Sequence, residues 1–293
     1  MKSLVYIFLG FLFLAPLSVS ASILGPDRID PQSTYPFKYD EFAAAIVVDV
    51  NSGMILYEFN GSKPWSAASL TKLMSSSIYL ACTEPSDDKI VSLLSADEVG
   101  GGRLRVASGA TLSTQDLMYS TVTASANNTA TAMARLSGLS YSSFIQKMNE
   151  RAFQYDMRQS TFVDPSGMDP ENITSARDMA KLAWRAFDDP WIMRTATTAE
   201  YTFKIQNTGE IKTIHNTNDL LIDPEHGDVY VTGGKTGFLY ESRYNLVVRM
   251  RPTESLNDND RHVLVVVLGA PTRDSSFTSA KALAKWTWDV YRW

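Results

Sequence analysis

The sequence contains little cysteine and little net charge, and each scarcity excludes classes of protein. Cys82 is the single cysteine among 293 residues, so no internal disulfide can form. It lies in an apolar stretch, where we expect a buried small side chain rather than a reactive thiol. The net charge of −5 provides no basic surface. Nucleic acid and anionic lipid are therefore not expected as partners.

Residues that bind metals or activate a serine through histidine are also scarce. The three histidines, His215, His226 and His262, share no metal-ligand spacing. No Gly-x-Ser-x-Gly sequence is present. We therefore expect no metal, no other cofactor and no histidine-assisted serine catalysis.

The long apolar run of this sequence lies at its amino-terminal end. Lys2 precedes an apolar stretch over 4–17, and small residues follow up to Ala21. This pattern is typical of an export signal over 1–21, cleaved after Ala21. An uncleaved membrane anchor is the alternative, but the run is short for a span of about 20 residues. No later segment is apolar enough to cross a bilayer, so we expect a soluble mature chain outside the cytoplasm.

The rest of the sequence has strand patterns at both ends and helical patterns between them. An irregular lead-in is predicted for 22–40, which is rich in Pro, Asp and Ser without periodicity. The strand patterns cover 43–50, 54–59, 201–205, 210–214, 229–232, 244–251 and 262–269. Helical spacing covers the region from Ser66 to Pro85 and then 114–121, 127–136, 141–155, 175–187 and 275–291. We expect one domain over 41–293 of the α/β (α+β) class, with an antiparallel sheet built from both chain ends, flanking helices and an inserted helical subdomain.

Three short patterns contain the candidate chemistry. They are Ser69-Leu70-Thr71-Lys72, Ser125-Ala126-Asn127 and Lys235-Thr236-Gly237. Alone, the first two are weak, because Ser86-Asp87-Asp88-Lys89 and Ser255-Leu256-Asn257 also fit them. Ser86 follows a helix break among acidic residues, and Ser255 begins a polar, turn-forming loop. Context therefore favours Ser69 and Ser125.

The first pattern predicts a nucleophile and its base. A spacing of three on a helix places the amine of Lys72 on the same face as the hydroxyl of Ser69. Serine becomes a strong nucleophile when a base removes its proton, and lysine can do so only when neutral. Burial and a second cation, for which Lys235 is the candidate, favour that neutral form. The alternative is a capping serine and a solvated lysine.

The second pattern lies at the entry of a helix. Simple N-capping is the alternative for Ser125 and Asn127, since Ser and Asn are favoured caps. In the functional interpretation, Ser125 passes a proton to the leaving amine and Asn127 holds a backbone amide of the substrate.

The third pattern lies in the glycine-rich segment 233–237, which interrupts a strand. Glycines in a strand let another backbone or a ligand approach closely. A phosphate loop is excluded, because Val229 stands where its first glycine is required and no strand-to-helix turn is predicted; we expect no ATP. We expect Lys235 and Thr236 to bind a substrate carboxylate, Gly237 to contact the substrate, and the amides of Phe238 and Ser69 to bind the oxyanion.

With these motifs, the sequence resembles the low-molecular-mass penicillin-binding proteins, the D-alanyl-D-alanine carboxypeptidase and endopeptidase family. The similarity covers about Tyr39 to Trp288 in the family's order. Besides the Lys235 segment, the similar stretches are 69–74, 124–128, 164–168 with Asn172, Thr174, Ala176, Arg177 and Asp178, 216–221 and 267–270.

The resemblance implies a β-lactamase/DD-peptidase-like fold and an acyl-enzyme on Ser69 that water resolves. It implies peptidoglycan stem peptides as substrates, penicillins as covalent inhibitors, and a location in the periplasm or cell-wall space. Ala126 and Asn128 stand where the family usually has glycine and aspartate, and Ser276 stands where an arginine often binds a carboxylate. Arg273 and Arg243 are the candidate replacements.

Two further points separate the remaining alternatives. The sequence ends after the closing helix, as in single-domain members of the family, several of which are endopeptidases, but the choice between carboxypeptidase and endopeptidase stays open. A β-lactamase is the second hypothesis, with Glu171 as the nearby candidate to activate water. A non-catalytic module that binds wall peptides or β-lactams is the third.

Overall fold

The computed structural model describes residues 25–35, 38, 40–223, 228–255 and 261–293. The strands of these residues are β1 (Asp27–Arg28), β2 (Ala44–Asp49), β3 (Ile55–Phe59), β4 (Trp65–Ser66), β5 (Ile90–Ser92), β6 (Thr111–Ser113), β7 (Ile173–Thr174), β8 (Glu200–Lys204), β9 (Ile211–His215), β10 (Tyr230–Leu239), β11 (Arg243–Arg251), β12 (Val263–Ala270) and β13 (Tyr291–Arg292). The α-helices are α1 (Thr71–Cys82), α2 (Thr114–Val122), α3 (Asn127–Leu136), α4 (Tyr141–Gln154), α5 (Ala176–Ala186), α6 (Pro190–Thr197), α7 (Asp219–Ile222) and α8 (Arg273–Val290). Short 3-10 turns cover Ala68–Leu70 and Ser95–Asp97.

The central sheet has the strand order β10-β11-β12-β2-β3. Each neighbouring pair is antiparallel, and β12 from the end of the sequence pairs with β2 from its beginning. The predicted α/β class and the sheet built from both chain ends are therefore confirmed. Strand β10 stands at one edge of the sheet, which leaves its outer side free for other contacts. The segment between β3 and β10, which contains helices α1 to α7, is called the helical region below.

Both faces of the sheet are covered, and this explains the continuous apolar sequences of its middle strands. Every residue of β2 and of β12 is buried. Alternate residues of β2 point to opposite faces: Ile46 and Val48 pack with the helical region, whereas Ala45 and Val47 pack with α8. The sheet thus separates two apolar cores.

The helical region lies between β3 and β10 in the sequence, as predicted for an inserted helical subdomain. Two helices were not predicted. Helix α6 begins with Asp189 as N-cap, whose carboxylate accepts from the amides of Trp191 and Ile192, and with Pro190 in its first turn. Helix α7 has a single turn, too short to show helical periodicity.

The prediction for Cys82 was wrong. Its side chain is exposed, because it is the last residue of α1, where the helix leaves the core. No helix of the residues described here is long and apolar enough to cross a membrane. The predicted signal over 1–21, His226 and most of the Ser255-Leu256-Asn257 loop lie outside the described residues.

Candidate active site

Ser69 lies at the bottom of a cleft between the helical region and β10. It belongs to the 3-10 turn that precedes α1, rather than to the first turn of the helix itself. The residue before it, Ala68, has a φ of 48°, an unusual value for a residue with a side chain. Nζ of Lys72 lies 2.9 Å from Oγ of Ser69, so the predicted pairing on one face is confirmed as geometry.

Lys72 is fully buried, and no carboxylate among the described residues contacts its amine. Its Nζ also donates to Oδ1 of Asn127 at 2.6 Å and to the carbonyl of Ser166 at 2.6 Å. Burial lowers the pKa of the Lys72 amine from 10.5 to about 7, against the charge of Asp164, which raises it.

The three partners of Lys72 suit a neutral amine. A neutral amine has two N–H groups and one lone pair. The carbonyl of Ser166 and the amide oxygen of Asn127 can only accept, so they take the two N–H groups. The lone pair then faces the hydroxyl of Ser69, which can donate its proton. This arrangement can remove a proton from the serine.

Lys235 brings the second pattern and β10 together. Its side chain is buried, and its Nζ donates to Oγ of Ser125 at 2.7 Å and to the carbonyl of Thr236 at 3.0 Å. Burial lowers the pKa of Lys235 well below its ordinary value, and the neighbouring Lys72 adds to this shift. One buried amine thus contacts Ser69, and the other contacts Ser125.

The simple capping interpretation of Ser125 and Asn127 is not what the structure shows. The N-cap of α3 is Ala126, which makes no side-chain capping bond. Ser125 has a φ of 58°, which turns the chain just before the helix. The side-chain amide of Asn127 accepts from Lys72 through Oδ1 and donates through Nδ2 to the carbonyl of Gly100 at 3.0 Å. Both side chains are thus used within the site.

The glycines of β10 allow the close approach that the sequence predicted. A Cβ on Gly237 would lie 3.2 Å from the amide nitrogen of Ser69, so the strand backbone lies directly against the 3-10 turn that contains Ser69. A Cβ on Gly234 would lie 2.4 Å from Nδ2 of Asn218. The segment is continuous strand through Leu239 and has no phosphate-loop turn.

The cleft has a volume of about 620 Å³. Of the predicted site residues, Ser69, Ser125, Asn127, Thr236, Gly237 and Phe238 line it, and the amines of Lys72 and Lys235 lie beneath. The lining residues that the motifs missed include Gly101, Gly102, Met168, Tyr240, Glu241 and Tyr244. Three consecutive glycines at 100–102 were a usable sequence signal for a loop at a ligand site.

Arg273 lines the cleft, whereas Arg243 is the first residue of β11, directly after the β10–β11 turn, and has a φ of 53°. Nη2 of Arg273 donates to Oδ1 of Asp219 at 2.6 Å and to the carbonyl of Thr217 at 3.0 Å. The hydroxyl of Thr217 lies 2.6 Å from that of Thr236. Of the two predicted arginines, Arg273 is the one placed beside the Lys235-Thr236 end of the cleft.

The competing pattern at Ser86 does not form a comparable site. Ser86 accepts from the amide of Asp88 within a surface turn, and Lys89 donates to the hydroxyl of Thr83. Glu171 is exposed and is not among the residues that line the cleft. Within the described ranges, no group of three or more His, Cys, Asp or Glu side chains is placed to hold a metal ion.

The comparison with solved structures identifies the class of fold. The DD-transpeptidase of Streptomyces K15 superposes with a TM-score of 0.78 at 23% sequence identity, over 88% of this chain and 100% of that chain. The D-alanyl-D-alanine carboxypeptidase of Mycobacterium tuberculosis superposes with a TM-score of 0.75 at 19% identity. The fold is therefore that of the serine DD-peptidases and DD-transpeptidases, as the sequence predicted.

The sequence comparisons identify the family. The model of the peptidase S11 family, D-alanyl-D-alanine carboxypeptidase, matches residues 38–272. A D-alanyl-D-alanine endopeptidase of Pseudomonas aeruginosa is 28% identical over 272 residues, which cover 92% of this chain and 85% of that protein. One of Haemophilus influenzae is 32% identical over 204 residues, which cover 69% and 68%. The chain belongs to the D-alanyl-D-alanine carboxypeptidase family and is a serine DD-peptidase. These matches support neither a β-lactamase nor a non-catalytic module.

Proposed function

We propose that Ser69 is the nucleophile and Lys72 the base of an exported peptidase that hydrolyses D-alanyl bonds in the stem peptides of peptidoglycan. The observation that carries the proposal is the 2.9 Å contact between Nζ of a fully buried Lys72 and Oγ of Ser69. Penicillins, which mimic the end of the substrate, acylate the same serine.

The reaction begins when Oγ of Ser69 attacks the carbonyl carbon of the scissile bond and its proton moves to Lys72. The backbone amides of Ser69 and Phe238 stabilise the oxyanion; the contact of Gly237 with Ser69 supports this pairing, because it holds β10 against the nucleophile turn. The bond to the leaving nitrogen then breaks, and the proton that Lys72 took up passes through Ser125 to the departing amine. Water hydrolyses the resulting ester and releases Ser69.

The substrate is held at three points. Asn127 binds a backbone amide of the peptide. Lys235 and Thr236 bind the carboxylate next to the scissile bond, and Arg273 provides a further cation at the same end of the cleft. Gly237 lets the peptide backbone lie close to β10, which is an edge strand and therefore has unpaired backbone groups on its outer side.

Among D-alanyl bonds, we propose that the crosslink between two stem peptides is a substrate. The support comes from the relatives of Pseudomonas aeruginosa and Haemophilus influenzae, both named D-alanyl-D-alanine endopeptidase. Cleavage of purified crosslinked dimers, compared with release of terminal D-alanine from monomers, decides between the two activities.

The amino-terminal pattern supports export, with cleavage after Ala21 and a mature protein in the periplasm or cell-wall space. Amino-terminal sequencing of the protein recovered from the cell envelope tests this point. A chain that starts at Ser22 agrees with the proposal, and a chain that keeps Met1 contradicts it.

Intact-mass analysis after incubation with a penicillin tests the nucleophile. We expect one adduct that maps to Ser69 and that persists, and no adduct with Ser69→Ala. Ser86→Ala is the matched control, because Ser86-Asp87-Asp88-Lys89 has the same spacing on the surface. An adduct on Ser69→Ala would contradict the proposed nucleophile, and rapid turnover of the penicillin would instead indicate a β-lactamase.

A further inference from the structure

The turn that begins at Asp164 is held together by one carboxylate. Oδ1 of Asp164 accepts from the amide of Ser166 at 2.6 Å, from the hydroxyl of Ser166 at 2.6 Å and from the amide of Gly167 at 2.8 Å. Oδ2 accepts from the amide of Asp169 at 2.8 Å and from Nδ2 of Asn172 at 2.6 Å. Five hydrogen bonds to one half-buried carboxylate fix the shape of this turn.

The turn delivers a backbone carbonyl to the base. The carbonyl of Ser166 accepts from Nζ of Lys72 at 2.6 Å, and the preceding carbonyl, of Pro165, accepts from Oγ of Ser75 at 2.7 Å. Lys72 and Ser75 are one helical turn apart on α1. Two consecutive carbonyls therefore dock the turn onto the face of α1 that carries the base.

The same turn also contacts the backbone that precedes the nucleophile. Gly167 has a φ of 81°, and a Cβ built on it would lie 1.9 Å from the carbonyl oxygen of Ala68. Ala68 itself has a positive φ. Gly167 is thus packed against the turn that sets the direction of Ser69, and no larger residue fits there.

We propose that Asp164 is a positioning residue for acylation: it holds the carbonyl of Ser166 against Lys72 and Gly167 against Ala68, and thereby aligns the base with Ser69. This inference rests on the proposed roles of Ser69 and Lys72.

The charge of Asp164 gives this role a distinct signature. In the described part of the chain, the charged groups that act on Lys72 are Lys235 from β10 and Asp164 from this turn, while Asn127 of α3 presents a neutral amide. Asp164 raises the pKa of Lys72 against the larger effect of burial. Loss of this charge lowers that pKa further. General loosening of the turn has the opposite effect, because water that reaches Lys72 raises its pKa towards 10.5.

The test is the rate of acylation of Asp164→Asn by a fluorescent penicillin, measured from pH 5 to pH 9. The new amide nitrogen must face either the donors at Oδ2 or those at Oδ1, so at least one set of hydrogen bonds breaks. We expect the rate constant to fall about 10- to 100-fold, the usual effect of a misplaced catalytic group. We also expect the acid limb of the pH profile to move to lower pH.

Matched variants separate geometry from charge. Asp164→Glu keeps the charge but lengthens the side chain, so the rate falls while the acid limb does not move down. Ser75→Ala removes the bond to Pro165, together with a longer bond of 3.4 Å to the carbonyl of Thr71 within α1, and it lowers the rate a few-fold without moving the limb. Asp169→Asn removes an exposed carboxylate of the same loop, whose Oδ1 accepts from the amide of Glu171, and leaves both quantities unchanged.

The outcomes are distinguishable. If the unmodified protein forms no adduct, the proposed nucleophile fails before the variants are compared. If it reacts and Asp164→Asn reacts at the same rate with the same profile, the role of Asp164 is overturned. An acid limb displaced to higher pH overturns it as well, since it reports water entry. Should Asp164→Asn not fold, as judged by near-ultraviolet circular dichroism, an unchanged rate in Asp164→Glu overturns the inference.

Discussion

Lys72 and Lys235 are both buried, and no carboxylate among the described residues contacts either amine. Burial of an ammonium group is costly unless it is paired, and a lysine in this position lowers its pKa instead. A neutral lysine at ordinary pH is the form that can remove a proton from serine. The site thus depends on burial as much as on the identity of the residues.

The acylation rate should rise with pH around the pKa of Lys72, which burial lowers to about 7. Below this value Lys72 is an ammonium group and cannot take the proton, so the rate falls as the pH falls. Lys72→Arg keeps a permanent charge and should lose about 10²- to 10⁴-fold in rate, the usual contribution of a general base. Stopped-flow acylation over pH 5 to 9 measures both. A flat profile, or an active arginine variant, would exclude Lys72 as the base.

Arg273 should contribute to binding of the substrate carboxylate. Hydrogen bonds to charged groups are worth about 1.5–3 kcal/mol, so Arg273→Leu should lower kcat/KM for a D-alanyl-D-alanine peptide about 10- to 100-fold. Arg243→Leu is the control and should have little effect, because Arg243 does not line the cleft. Comparison with a carboxamide-terminated peptide completes the measurement. An equal loss on the carboxamide would show that Arg273 does not act on the carboxylate.

Strand β10 shows how one element serves both the core and the site. Its glycines contact different neighbours along its length: a Cβ on Gly233 would lie 2.7 Å from the ring of Phe187, whereas one on Gly237 would lie 3.2 Å from the amide of Ser69. The sequence predicted close approaches in this segment but not their partners. Each glycine therefore has its own consequence when it is replaced.

Gly237→Ala and Gly233→Ala should separate these two functions of β10. Gly237→Ala displaces the strand from Ser69 by a few tenths of an ångström and should lower the acylation rate about 10-fold or more with little change in stability. Gly233→Ala presses on the buried ring of Phe187 and should lower the free energy of unfolding by about 1–3 kcal/mol. Urea unfolding and acylation kinetics on both variants check this. A loss of stability in Gly237→Ala with a loss of acylation rate in Gly233→Ala would show that the glycine contacts do not control the site.

For the whole molecule, the sheet divides the interior into two cores: one packs the helix that carries Lys72, and the other packs α8, from which Arg273 lines the cleft. Leu73 of α1 lies in the core between the sheet and the helical region, and Leu283 of α8 lies in the core on the other face. Both side chains are completely buried. Only the first core holds the helix that carries Lys72.

Leu73→Ala and Leu283→Ala should each cost about 2–5 kcal/mol of stability, the usual effect of a cavity in a core. At a temperature where both variants remain folded, Leu283→Ala should acylate at the rate of the unmodified protein, while Leu73→Ala should be slower. Thermal unfolding and acylation rates test this expectation. Equal losses of rate would mean that the two cores are coupled through the sheet.

The sequence determined a large part of this description. Alternating and helical periodicities are local, so they predicted the main strands, most helices and the class of fold. A spacing of three residues placed Lys72 beside Ser69, although Ser69 lies in the 3-10 turn before α1, and three motifs in order identified the family. The shortest strands and α7 were missed, because elements of two to four residues show no periodicity.

Only the tertiary structure decided which distant segments meet. The sequence left Asn127 as a possible helix cap, but in the structure its side chain binds the amine of Lys72. The carbonyl of Ser166 binds the same amine. Arg273 lines the cleft and Arg243 does not. Cys82 is exposed at the end of α1. The physical reason is that a local pattern records the face of an element on which a residue lies, whereas burial, pKa and contact depend on what packs against that face.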